Sequence, residues 1–177
     1  MPALRKGPPQ VMTVLGPVHP EELGTTDAHN HLWIEMVEGA AAGSPVLNSY
    51  GPILAELEDY RREGGTSILD CQPGGCGRNA SRLADLSGDS GVKIVACTGF
   101  HRRRYYSADH WLWRATAEQA AQHFMDEATL CVEEARERPE PVRAGFIKIG
   151  FESTVRETPQ EALRGGRPPQ RPALGSL

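Results

Sequence analysis

The chain has 177 residues, a net charge of −4, and 39% hydrophobic against 24% charged residues. That is one domain's length with enough apolar content to bury a core, and its first 155 residues lack the basic stripe of a nucleic-acid binder. Its apolar runs are too short to span a membrane, and Met1–Gly16 lacks the apolar stretch of a signal peptide.

In chain order, Val11–Leu15 reads as a short strand ending at Gly16-Pro17, able to pair with the run beginning near Gly24. Thr25–Trp33 reads as a strand with polar residues on one face. Gly51–Glu63 has helical spacing of Ile53, Leu54 and Leu57, with Pro52 suited to a first turn. Thr66–Leu69 is a strand closed by Pro73-Gly74-Gly75. Asn79–Leu86 is a short helix capped by Asn79, and Val92–Ala96 is a strand. Thr116–Glu137 reads as the longest helix, capped by Thr116 and stopped by Pro139 and Pro141. Ala144–Ile149 is a further strand.

This alternation argues for an α/β fold with a parallel sheet, either an open doubly wound sheet or part of a (β/α)₈ barrel. A full barrel takes roughly 250 residues, so a barrel sequence of this length holds about half of one. We expect residues 1–155, net charge −6, to be that half-barrel domain. Residues 156–177, net charge +2 with four Pro and three Gly, are expected to form a disordered tail. The cysteines Cys71, Cys76, Cys97 and Cys131 form no CxxC pair. A reduced cytoplasmic chain is expected, with a small-molecule partner and neither nucleic acid nor membrane.

Asp27-Ala28-His29-Asn30-His31 is the sharpest local signal. On a strand, residues two apart share a face about 7 Å apart, so His29 and His31 project together. They form either a divalent-metal pair or two unrelated polar residues at a strand end. Lys148 lies in the apolar strand Gly145-Phe146-Ile147-Lys148-Ile149. A lysine there is neutral, paired or modified, or it snorkels to water. A neutral amine can take up CO₂ as a carbamate, an anionic ligand. The run from Cys97 to Trp113 is a long, aromatic-rich loop following a strand. Tyr105, Tyr106, Trp111 and Trp113 are candidates to wall a pocket, with His101 at the strand exit. Arg102–Arg104 either bind an acidic group or are solvated. Gly74-Gly75-Cys76-Gly77 matches neither phosphate-loop motif and reads as a tight turn.

Residues 11–152 together resemble the phosphotriesterase family of the amidohydrolase superfamily. The resemblance rests on VMTVLGPV, ELGTTDAHNHLW, GGTSILDCQPGGCGRN, GVKIVACTGF and GFIKIG in that order. It implies a TIM barrel with two divalent metals, zinc by preference. It implies that His29 and His31 bind one metal, and that Lys148, carboxylated, bridges both. Asn30 stands where the family often has Glu. Tyr105 and Tyr106 lie where relatives place substrate-contacting aromatics. The implied activity is metal-assisted hydrolysis of a phosphotriester, lactone or carboxylic ester. The family's two later histidines and its aspartate have no counterpart, since no His follows His123 and no Asp follows Asp126. We therefore expect a truncated product with no assignable catalytic proton shuttle. The alternative is a non-catalytic, metal-binding half-barrel that self-associates as a homo-oligomer.

Overall fold

A computed structural model of the chain describes residues 7–151. Val11–Thr13 (β1) pairs antiparallel with Gly16–Val18 (β2). The hairpin expected between Val11–Leu15 and the run near Gly24 therefore closes earlier. The Thr13 hydroxyl donates to the Gly16 carbonyl over 2.7 Å, and Gly16 takes φ +119°, which tightens the turn at once. The Val14 amide donates to the Ile94 carbonyl over 2.8 Å, which docks the hairpin against the start of a central strand.

Four parallel strands follow: Thr26–Asn30 (β3), Ser67–Asp70 (β4), Lys93–Phe100 (β5) and Phe146–Ile149 (β6). Their spatial order is their chain order, β3-β4-β5-β6. The sheet curls into a half-barrel with helices packed on its convex side. The barrel reading therefore holds over the doubly wound one, in which strand order reverses about a switch point. Residues 156–177, the expected tail, lie outside the described residues.

The helices are Tyr50–Arg62 (α1), Ala80–Ser90 (α2) and Ala117–Thr129 (α3). Asn79 caps α2 by accepting the Arg82 amide over 3.0 Å, and Gly91 ends it at φ +71°. Leu57 of α1 and Leu83 and Leu86 of α2 pack with Ile68 and Ile94 in the main core. Thr116 caps α3 in a reciprocal box with Gln119. That helix ends well before the expected Glu137. Leu130 leaves helical geometry at ψ −81°, and the Val132 amide bonds the Val142 carbonyl over 2.8 Å. This tertiary contact outweighs the helical composition of residues 130–137 and turns the chain toward β6.

Behind β5, Arg78 is fully buried and holds Glu127 of α3, Glu134 and, over 2.6 Å, the Cys97 carbonyl. Thr98 donates to Glu127 over 2.6 Å. Burial alone would raise the Glu127 carboxyl. The charge and hydrogen bonds of Arg78 outweigh it and hold Glu127 below the usual carboxylate range. No described helix is long and apolar enough to cross a membrane.

Candidate metal and substrate site

The C-terminal ends of the four parallel strands converge where a barrel of this kind carries its chemistry. The end of β3 is not a regular strand: its register to β4 shifts between Asp27 and Asn30. The Asp27 carboxylate stabilises the irregularity, accepting the His29 amide over 3.0 Å and the Asn30 side-chain amide over 2.8 Å. Those bonds, His29 first, hold its carboxyl below the ordinary value. His29 and His31 nevertheless come together, with ring centroids 5.6 Å apart. Asp27 thus shapes the backbone beneath the pair.

Asp70, fully buried at the end of β4, accepts the Leu32 amide over 2.7 Å and the Gln72 amide over 3.0 Å. One carboxylate so clamps the chain just past His31 to the loop after β4. Burial outweighs these two bonds and pushes Asp70 up to about 6. Gln72 accepts at His31 Nδ1 over 2.6 Å, and its amide nitrogen donates to the Cys76 carbonyl. Neither Asp70 nor Gln72 was singled out by the sequence pattern. An Asp closing an apolar run, followed two residues later by Gln, was the available signal.

His101 leaves β5 with its ring centroid 6.2 Å from that of His31 and 4.5 Å from that of Tyr105. Burial, then the charges of Lys148 and His31, push His101 down to about 4. Burial likewise lowers His31, against the opposing bond from Gln72. Lys148 is half-buried on β6 between the exposed Ile147 and Ile149. Burial lowers its ammonium, and the negative groups near it offset this only in part. Its partner across the sheet is Gly99, at φ +104°.

The aromatic loop divides. Tyr105 lines a pocket of about 750 Å³ together with His31, His101 and Gln72. Tyr106 is only 2% exposed and packs with Phe100, Leu112 and Phe124. Its hydroxyl accepts the His101 amide over 2.8 Å. The expectation that Tyr106 touches substrate gives way to a supporting position behind His101, because the loop folds its own aromatic core. Trp113 stacks edge-on against Tyr106 at 5.1 Å, and Trp111 lies against His123 at 4.6 Å. Neither reaches the His31 pocket. The guanidinium of Arg103 sits over Trp113 and that of Arg104 over Tyr105.

The phosphotriesterase family matches residues 9–163. The chain belongs to the phosphotriesterase family. Among curated proteins it is 29% identical over 138 residues to the phosphotriesterase homology protein of Escherichia coli, covering 78% of this chain and 45% of that one. It is 30% identical over 113 residues to a phospho-furanose lactonase of Mycoplasmopsis agalactiae, covering 58% of this chain and 30% of the other. The fold superposes on a solved lactonase from Listeria monocytogenes with a TM-score of 0.73 at 20% identity, covering 88% of this chain and 52% of that one. The chain thus spans between 30% and 52% of the length of these proteins.

Among the described residues, no group of three His, Cys, Asp or Glu side chains is placed to hold a metal ion. What the family member presents instead is two adjacent imidazoles and a lysine. That donor set fits a divalent ion chemically. Both rings are borderline nitrogen ligands, and the lysine environment favours the amine that CO₂ can convert to an anionic oxygen donor.

Proposed function

We propose that this chain carries the first half of the active site of a zinc-dependent hydrolase of ester-type bonds, whether phosphotriester, lactone or carboxylic ester. One observation carries the reading: His29 and His31 lie with ring centroids 5.6 Å apart at the sheet end that also holds the half-buried Lys148. The names of the two curated relatives, a phosphotriesterase homology protein and a lactonase, support the same bond type.

His29, His31 and a carboxylated Lys148 would hold the metal, in a site that takes two ions when complete. A bound divalent ion supplies Lewis acidity, activating water and polarising the carbonyl or phosphoryl group. The protein's own part is positional. Gln72 orients His31, and Asp70 ties the loops that carry both. His101 and Tyr105 wall the pocket beside them and contact the substrate. His101, held neutral near pH 7, offers a hydrogen bond without a charge.

Elemental analysis of the full chain, its intact mass confirmed, tests the metal. Bound zinc that falls in His29→Ala and in His31→Ala supports the reading, and unchanged stoichiometry in both sinks it. A carbamate signal from labelled CO₂ that disappears in Lys148→Met tests the lysine. Turnover of an aryl ester, a lactone and a phosphotriester with added zinc tests the chemistry.

A second reading has its own observation. Among the described residues β3 and β6 each have one strand neighbour, and Ile147 (62%), Ile149 (38%) and Phe151 (55%) are exposed. Open parallel edges beside apolar surface favour self-association. Sedimentation velocity over a range of concentrations distinguishes a homo-oligomer from a monomer.

A further inference from the structure

The two free edges of the sheet are complementary to each other. All four strands are parallel, and among the described residues β3 and β6 each have a neighbour on one side alone. Ile147 stands opposite Thr98, whose hydroxyl reaches Glu127 of α3. Ile147 is therefore on the helix-facing side of the sheet, and Lys148 on the inner side. Ile147 and Ile149 are exposed on that outer side, followed by the exposed Phe151, and no charged residue of β6 guards it. The other edge offers a counterpart. Between β3 and α1 runs an apolar groove of about 370 Å³, lined by Leu32, Leu47, Ile53, Leu57 and Ile68 among others.

The register of the two edges also matches. Thr26 pairs with Ser67 and Ser67 with Lys93, while Cys97, four residues after Lys93, pairs with Phe146. Carried across the sheet, the level of Thr26 thus arrives four residues before Phe146. An eight-stranded barrel of shear about 8 shifts its register by about four residues in each half. In the sense that keeps the edge strands overlapped, a half-turn about the barrel axis sets Phe146 of one copy beside Thr26 of a second, and Ile147 beside Asp27. Asp27 is opposite Ile68, which packs on the helices, so Asp27 and Ile147 share the outer side and all eight strands stay parallel.

We propose that two copies of this chain close one eight-stranded barrel, β6 of each beside β3 of the other, with a metal site shared between them. Ile149 and Phe151 of each copy cover the groove along β3 of the other. The rotation is two-fold, so the same contact forms twice and leaves no free edge. Among the described residues, one chain places no group of three His, Cys, Asp or Glu side chains to hold a metal ion. Closure brings a second His29–His31 pair and a second Lys148 to the same mouth. The proposal deepens the self-association reading, and its shared site rests on the metal reading of His29, His31 and Lys148.

The test co-expresses two full-length variants, Thr25→Cys and Ile147→Cys, each in a Cys131→Ser background. Both positions are exposed, and the three remaining native cysteines are buried. Thr25 directly precedes β3, so a short bismaleimide should join residue 25 of one chain to residue 147 of the other, and should not join two like residues. Native mass spectrometry should give one assembly, of two chains. Zinc, compared with EDTA, should lower the monomer–dimer midpoint of the wild-type chain at least about tenfold. Ile147→Lys should leave the circular dichroism of the chain intact and abolish the dimer. A chain that stays monomeric, a ladder of longer linked products, or links between like residues overturns the proposal. So does zinc held as tightly by monomeric Ile147→Lys as by the wild-type dimer, a result that leaves the hydrolase reading intact. A 25–147 link in a chain that binds no zinc overturns the shared site together with the hydrolase reading, and the barrel closure stands.

Discussion

Gln72 decides which nitrogen of His31 carries the proton. Its amide nitrogen donates to the Cys76 carbonyl, which can only accept, so its oxygen must face His31 Nδ1, 2.6 Å away. An amide oxygen also only accepts, so Nδ1 bears the hydrogen and the Nε2 lone pair is left for a ligand.

Replacing that oxygen removes the constraint. Gln72→Leu should weaken zinc binding by about 10–100-fold. Nitrogen chemical shifts of the His31 ring report the tautomer directly. A wild-type ring protonated at Nε2 would contradict the assignment.

Asp70 makes a second, structural prediction. Asp70→Ala leaves the buried Leu32 and Gln72 amides without their acceptor and should cost about 2–4 kcal/mol. Amide exchange at Leu32 and Gln72 should accelerate ahead of exchange in α2. Equal acceleration everywhere would mean that Asp70 stabilises the fold without specifically clamping these loops.

Two glycines should respond in opposite directions. A Cβ on Gly99 would fall 2.0 Å from the Lys148 carbonyl oxygen, at φ +104°, so Gly99→Ala should cost more than about 2 kcal/mol and loosen β6. Gly88, inside α2, has nothing within 4 Å, and Gly88→Ala should add about 0.5–1 kcal/mol. Urea midpoints of the two variants decide both.

Glu127 sets a pH dependence. Its folded pKa lies below its ordinary value of 4.5. Its contribution is therefore fully present above about 4.5 and is lost as pH falls through the folded value. Glu127→Gln should cost about 3 kcal/mol at neutral pH, because Arg78 is left with Glu134 as its remaining carboxylate partner. The variant's stability should change less than wild type's between pH 5 and pH 3. Parallel curves would show that the pair is not the source.

The alternation of strands and helices, the caps Asn79 and Thr116, and the His29–His31 pair were all legible in the residues, because each rests on local spacing. The hairpin partner of β1 was not, since a turn at Gly16 competes with one at Gly24 and only packing against Ile94 chooses. The early end of α3 was not, because Val132–Val142 is a tertiary contact. Tyr105 and Tyr106 are neighbours of one chemical type, and which of them is buried depends on Phe100, Leu112 and Phe124.

The spatial order of the parallel strands repeats their order of synthesis. A strand leaving the ribosome meets the edge of the one made just before it, and no strand waits for a later one to be inserted beside it. The sheet can therefore grow by addition at a single advancing edge. Lys148, on the last described strand, is then the latest of the three proposed metal ligands to arrive, and a codon change that slows translation between Phe100 and Phe146 delays the site without disturbing the sheet already laid down.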